Sequence, residues 1–205
     1  MPHDTAALRN SFGFDREPPV FYAGDALHRA KQVRVQEALK ASDFDAFLFF
    51  KAEAVRYITD FYVKGFRPFM EPEYVVLVVR GQAPVVGHVS GSDTIRIGVK
   101  SDIADARRLP PLARWHEVIG VMLADYGLDR GRIGTDLMPF QVHAGLIGAM
   151  PGLEIADASE IWAALTAVKH PLEIPLIRDA VRALVRGFGG AYFREKDEAR
   201  EYPEE

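Results

Sequence analysis

Tyr74-Val-Val-Leu-Val-Val79 decides the fold. An unbroken run of β-branched residues and leucine, six long, reads as a strand buried on both faces. Gly81-Gln82 supplies a turn, and Ala83-Pro-Val-Val-Gly-His-Val89 returns as its antiparallel hairpin partner. Upstream, Asp43-Phe-Asp45 leads into Ala46-Phe-Leu-Phe-Phe50, a second short apolar run and a second buried strand. Asp25 to Ala41 has helical spacing, with Leu27, Ala30, Val33, Val35, Ala38 and Leu39 near one side. Residues 53–61 read as a short helix, and the Gly65, Pro68 and Pro72 that follow break regular structure.

Downstream of the hairpin, Ile95 to Val99 reads as a further strand. Pro110-Pro111 open a long helix predicted to reach Tyr126, with Gly127 as its stop. A strand at Arg132–Thr135, a helix at Pro139–Ala149, a strand at Leu153–Ala156 and a helix at Ser159–Val168 follow in alternation. Ser159-Glu-Ile-Trp162 is a candidate cap for the last of these. Helices alternating with strands, plus one early hairpin, specify an α/β fold with a mixed β-sheet flanked by helices. Pro171 to Phe188 is a long amphipathic helix, with Leu172, Ile177, Val181, Leu184, Val185 and Phe188 on an apolar stripe. Arg178, Arg182 and Arg186 line another face, and a charged tail from Arg194 to Glu205 is expected to add no element. The expected organisation is an N-terminal arm (1–24), an α/β domain (25–169), then a junction helix and tail (170–205).

Composition narrows the function. The 205 residues are 48% hydrophobic and 26% charged, which is globular rather than disordered. With no cysteine there is no disulfide framework, thiolate zinc site or cysteine nucleophile. A net charge of −4 argues against a nucleic-acid binder. No apolar run approaches the roughly 18 residues of a membrane-spanning helix, and Met1 to Arg16 lacks the apolar region of a signal peptide. The expectation is a cytoplasmic protein with neither nucleic-acid nor membrane partners.

Candidate chemistry is sparse. His3, His28, His88, His116, His143 and His170 are scattered without a metal-binding spacing, and His88 and His143 are the two best placed near element ends. Asp93, Asp102 and Asp105 lack EF-hand spacing and read as a solvated loop. The glycines of 127–134 precede a strand, which is the wrong context for a dinucleotide loop. Ser90-Gly-Ser92 is not a nucleophile elbow. No catalytic residues and no metal ligands are assigned. Phe61-Tyr-Val-Lys-Gly-Phe-Arg-Pro-Phe69 is more suggestive, since loops on a rigid scaffold concentrate binding residues. Arg67 offers a planar fork for a carboxylate, and Phe66 or Phe69 a stacking surface. On the residues alone the favoured reading is that these aromatics plug the sheet edge while Lys64 and Arg67 are solvated.

At this loop and at the last helix the sequence resembles the creatinase/prolidase (pita-bread metallohydrolase) family, which includes Xaa-Pro aminopeptidases. The likeness covers roughly 25–190, that family's N-terminal domain and the junction helix with which its catalytic domain begins. It rests on Asp43-Phe-Asp-Ala-Phe-Leu-Phe49 with Val55-Arg-Tyr-Ile-Thr-Asp-Phe61, and on Gly65-Phe-Arg-Pro-Phe69 entering Tyr74–Val79. It rests also on Val168-Lys-His-Pro-Leu-Glu-Ile-Pro-Leu-Ile-Arg-Asp-Ala180, similar to the family's junction, with Pro175 as a departure.

The resemblance implies a ribonuclease-H-like α/β domain that holds no metal. In the family, two divalent metals such as Mn or Co bind a downstream catalytic domain through Asp, Asp, His, Glu and Glu. The chain is therefore expected to be inactive alone and to carry no cofactor. Phe66 and Arg67 match residues that reach a partner subunit's active site in creatinase-like relatives. The implied partners are a second copy, as a homodimer, or a separate catalytic chain, with Ile177, Val181, Leu184, Val185 and Phe188 as interface. A stand-alone protein- or peptide-binding module is the alternative. Creatinase, ectoine-hydrolase-like, dimethylsulfoniopropionate-lyase-like and peptidase relatives all remain open as parents.

Overall fold

The computed structural model describes residues 24–60, 72–98 and 102–201. The chain divides into two compact units: residues 28–168, and residues 1–27 together with 169–205. In chain order the elements are α1 (Gly24–Ala41), β1 (Ala46–Phe49), α2 (Ala52–Thr59), β2 (Tyr74–Val79), β3 (Val85–His88) and α3 (Gly91–Gly98). They continue with β4 (Asp105–Arg108), a 3₁₀ turn (Leu112–Arg114), α4 (Trp115–Ala124), β5 (Arg132–Thr135), α5 (Phe140–Ala149), β6 (Glu154–Asp157), α6 (Ser159–Ala167) and α7 (Glu173–Glu201).

Six strands form one mixed sheet in the order β4-β3-β2-β1-β5-β6. Only β2 runs against the rest: it is antiparallel to β1 and β3, while β3–β4, β1–β5 and β5–β6 are parallel. Gly81, at φ +69°, makes the β2–β3 turn in a conformation that a Cβ would strain.

Alternation along the strands sends side chains to two cores. On one face Phe47, Phe49, Val76, Val78 and Val86 pack with Val35 and Leu39 of α1, Val55 and Ile58 of α2, Ile97 of α3 and Trp162 of α6. On the other, Leu48, Val75, Leu77, Val85 and Ile133 pack with Trp115, Ile119 and Met122 of α4 and Val142 and Leu146 of α5. Phe49 packs on Trp162 at 5.1 Å between ring centroids, and Phe50 lies parallel to Trp115 at 6.4 Å. The result is the expected α/β sheet with helices on both faces, buried deeply in its central strands.

The two edge strands differ from the centre. β4 is Asp105-Ala-Arg-Arg and β6 is Glu154-Ile-Ala-Asp, each with its end residues exposed and charged. Arg107 bonds Asp105 and Asp125, and Arg132 bonds Glu154 and Asp43. Desolvation opposes the charge of Arg107, but those two acids hold its guanidinium above the usual arginine range.

Four expectations are corrected. Ile95–Val99 is not a strand, because burial there follows a helical turn: Asp93 and Ile97 face inward while Ile95 is exposed. The predicted helix from Pro110 to Tyr126 starts later and ends earlier. Pro111 is extended (φ −52°, ψ 145°), and a 3₁₀ turn intervenes before α4. Ser159 does not cap α6; instead Asp157 Oδ1 accepts the Ser159 N–H at 3.0 Å. The charged tail is not without structure either, since α7 continues through Glu201, where Ala, Arg, Lys and Glu favour helix.

Candidate functional site

In an open α/β sheet, ligands settle where the strand order reverses, beyond the carboxyl ends of parallel strands. That point here lies between β1 and β5. β1 leads to α2 on one face of the sheet and β5 leads to α5 on the other. The crevice is filled from within. The Asp136 carboxylate accepts the Phe50 N–H at 2.8 Å, the Lys51 N–H at 3.1 Å and its neighbour Leu137 N–H at 2.6 Å. A helix N-terminus favours an anion, and Asp136 supplies one at the start of α2. Nearby at the end of β6, Asp157 is held below the usual carboxylate range, first by hydrogen bonds from the Ser159 hydroxyl and N–H, and further by the charge of Lys51.

The other half of the same edge is open. Pro72 and Glu73 at the entry to β2, Val89 after β3, and Arg108 to Leu112 after β4 line a groove of about 1140 Å³. The first turns of α4 complete it. Trp115 is buried beneath and donates its indole N–H to Pro110 O at 2.9 Å, which fixes the proline wall. Arg114 bonds Glu117 through two nitrogens at 2.9 and 2.8 Å. That pairing raises the Arg114 guanidinium and lowers the Glu117 carboxyl. The groove thus combines an apolar wall with Glu73 and Arg108 and, at its rim, the paired Arg114 and Glu117.

Beneath this half, on the opposite face, lies a buried polar cluster. Tyr74 OH donates to Asp93 Oδ2 at 2.7 Å, and both residues are buried. His88 is paired in register with Tyr74; its Nδ1 lies 2.9 Å from Ser90 O and its Nε2 3.4 Å from Thr94 Oγ1. A carbonyl only accepts, so Nδ1 carries the proton. Asp93 is therefore not in a solvated loop. Asp102 pairs instead with His28, aided by Gln32, and Asp105 with Arg107, so the three carboxylates share no site. His143 is exposed on α5.

Phe66 and Arg67, together with Lys64 and Phe69, lie outside the described residues. Ile177, Val181, Leu184, Val185 and Phe188 all lie on α7, between 43% and 70% exposed. No group of three or more metal-ligating side chains occurs among the described residues, and no described helix is long and apolar enough to cross a membrane. The roles of Asp136 and Asp93 escape sequence reading, because each carboxylate is matched to a group supplied by another strand.

A family model for the Creatinase/Prolidase N-terminal domain matches residues 32–168. No curated protein matches the chain. Among solved structures, the chain is similar to an Xaa-Pro dipeptidase from Bacillus anthracis at TM-score 0.55 and 13% identity. That match covers 72% of this chain and 38% of the dipeptidase. It is also similar to an Xaa-Pro aminopeptidase from Streptococcus thermophilus (TM-score 0.52, 16% identity, 68% of this chain and 98% of that one). The N-terminal domain of the cytoplasmic peptidase PepQ from Mycobacterium tuberculosis H37Rv gives 0.51 and 18%, covering 66% and 98%. At these identities the likeness is one of fold.

Proposed function

Because the chain belongs to the creatinase/prolidase N-terminal domain family, we propose that it serves as a non-catalytic lobe of an Xaa-Pro peptidase-like or creatinase-like metallohydrolase. Its work is dimerisation and the loan of Phe66 and Arg67 to a neighbouring active site, where the Arg67 guanidinium grips a substrate carboxylate. The divalent metals belong to the catalytic domain of that assembly, and the setting is cytoplasmic. The observation that carries this reading is the family match over 32–168 followed directly by α7, a 29-residue helix with an exposed apolar stripe. Such a stripe gains stability only when something covers it.

The test is a peptidase and amidinohydrolase assay of the pure chain with added Mn²⁺, Co²⁺ or Zn²⁺. No turnover is expected, and metal-dependent turnover by the chain alone overturns the reading. In an assembly with a catalytic chain, Arg67→Ala is expected to raise KM for a carboxylate-bearing substrate at least ten-fold. A second reading, a stand-alone peptide-binding module, is favoured by the open groove between Pro72 and Val118. Specific recovery of one peptide by the chain alone, lost when Val118→Glu blocks the groove, selects it.

A further inference from the structure

The groove beside β4 carries charge of two kinds. Arg114 and Glu117 answer one another at the rim through two hydrogen bonds. Glu73 and Arg108 also line it, and the side chain of neither makes a hydrogen bond or ion pair among the described residues. The apolar wall has Leu109 buried and Val89, Pro110 and Val118 half-buried. Strand register fixes how far apart the two free charges are rooted. Tyr74 is paired with His88 and His88 with Arg108, so Glu73 and Arg108 stand at the ends of strands two apart. With neighbouring strands about 4.8 Å apart, their backbones are separated by about 10 Å. Val89, at the end of the strand between them, donates its N–H to Glu73 O at 3.2 Å and lays apolar surface along the way.

Charge complementarity selects the occupant. A wholly apolar ligand would desolvate both charges and pair neither. A simple anion satisfies Arg108 but meets Glu73, and a simple cation does the reverse. A ligand with one ammonium and one carboxylate about 10 Å apart satisfies both. An extended peptide rises about 3.3 Å per residue, so about three residues span that distance. We propose that the groove binds a short apolar peptide by its two free ends, the α-ammonium at Glu73 and the α-carboxylate at Arg108, with its side chains on the wall between them. This rests on the reading of the groove as a peptide-binding site and adds which parts of the peptide are read.

Calorimetric titration of the full chain with the tripeptide alanyl-leucyl-alanine tests it, beside the N-acetylated, C-amidated and doubly blocked forms. The free tripeptide is expected to bind, and blocking either end to weaken it about ten-fold, the effect of losing one charge-assisted hydrogen bond. Glu73→Gln is expected to make the free and N-acetylated forms bind alike, and Arg108→Gln the free and amidated forms. Neither side chain is in the core. The blocked peptides need no substitution, so they decide the matter even where a variant is unstable. A doubly blocked peptide that binds as tightly as the free one overturns recognition of the ends and leaves a peptide-binding groove standing. Sensitivity to blocking that persists unchanged in either variant overturns the assignment to that residue. Binding of no form overturns both the proposal and the peptide-binding reading.

Discussion

The two halves of the sheet's carboxyl edge start from the same kind of strand end and finish differently. Beyond β1 and β5 the crevice is occupied by Asp136, whose carboxylate satisfies backbone N–H groups that would otherwise attract an anion. Beyond β4 the chain runs into Pro110 and Pro111, which have no N–H to offer, and beside them the surface opens into a groove with both apolar and charged lining. At the topological switch point this chain places its own carboxylate, and its groove lies on the other half of the edge.

Removing the plug tests that contrast most severely. Asp136→Ala leaves the Phe50 and Lys51 N–H groups without their acceptor, and a loss of about 2–4 kcal/mol is expected from urea unfolding. Asp136→Asn keeps one acceptor oxygen and is expected to lose about half as much. If the alanine variant is as stable as the parent, the two halves do not differ in kind. On the groove side, Gly87→Ala would put a Cβ 2.6 Å from Val75 Cγ1 and 3.1 Å from the Leu109 side chain. Overpacking of about 1–3 kcal/mol is expected, with Leu109 displaced toward the groove. Tyr74→Phe removes a 2.7 Å bond to a buried carboxylate, for an expected loss of about 1–2 kcal/mol.

The smallest effect is electrostatic. Asp157 is held below its ordinary range, so its contribution is present above about pH 4 and is lost as the pH falls through the lowered value. Ser159→Ala removes the hydroxyl bond, and a shallower acid limb in unfolding measurements from pH 5 to pH 3 is expected. An unchanged limb shows that the backbone bond alone holds Asp157.

The central strands were legible because Tyr74–Val79 and Ala46–Phe49 are apolar on both faces, as strands buried between two helical layers must be. The edges were not. Asp105-Ala-Arg-Arg108 has no apolar alternation to read, because one side of an edge strand stays wet. Ile95, Ile97 and Val99 alternate like a strand, yet Asp93, buried one turn before Ile97, is what sets the period. A buried aspartate reads as surface until its partner Tyr74 is brought beside it by strand pairing. The same holds for Asp136, 86 residues from the Phe50 N–H that it caps. Phe66 and Arg67 were singled out by their likeness to family members, and chemistry alone left them ambiguous.

The charged outer strands carry a last consequence. Both ends of the sheet display charge, Asp105, Arg107 and Arg108 on one and Glu154 and Asp157 on the other, and Asp105 turns its own carboxylate onto the Ala106 N–H at 2.8 Å. A foreign strand arriving there meets side chains it must desolvate before any ladder forms. Growth of the sheet from one molecule into the next is therefore blocked at either end.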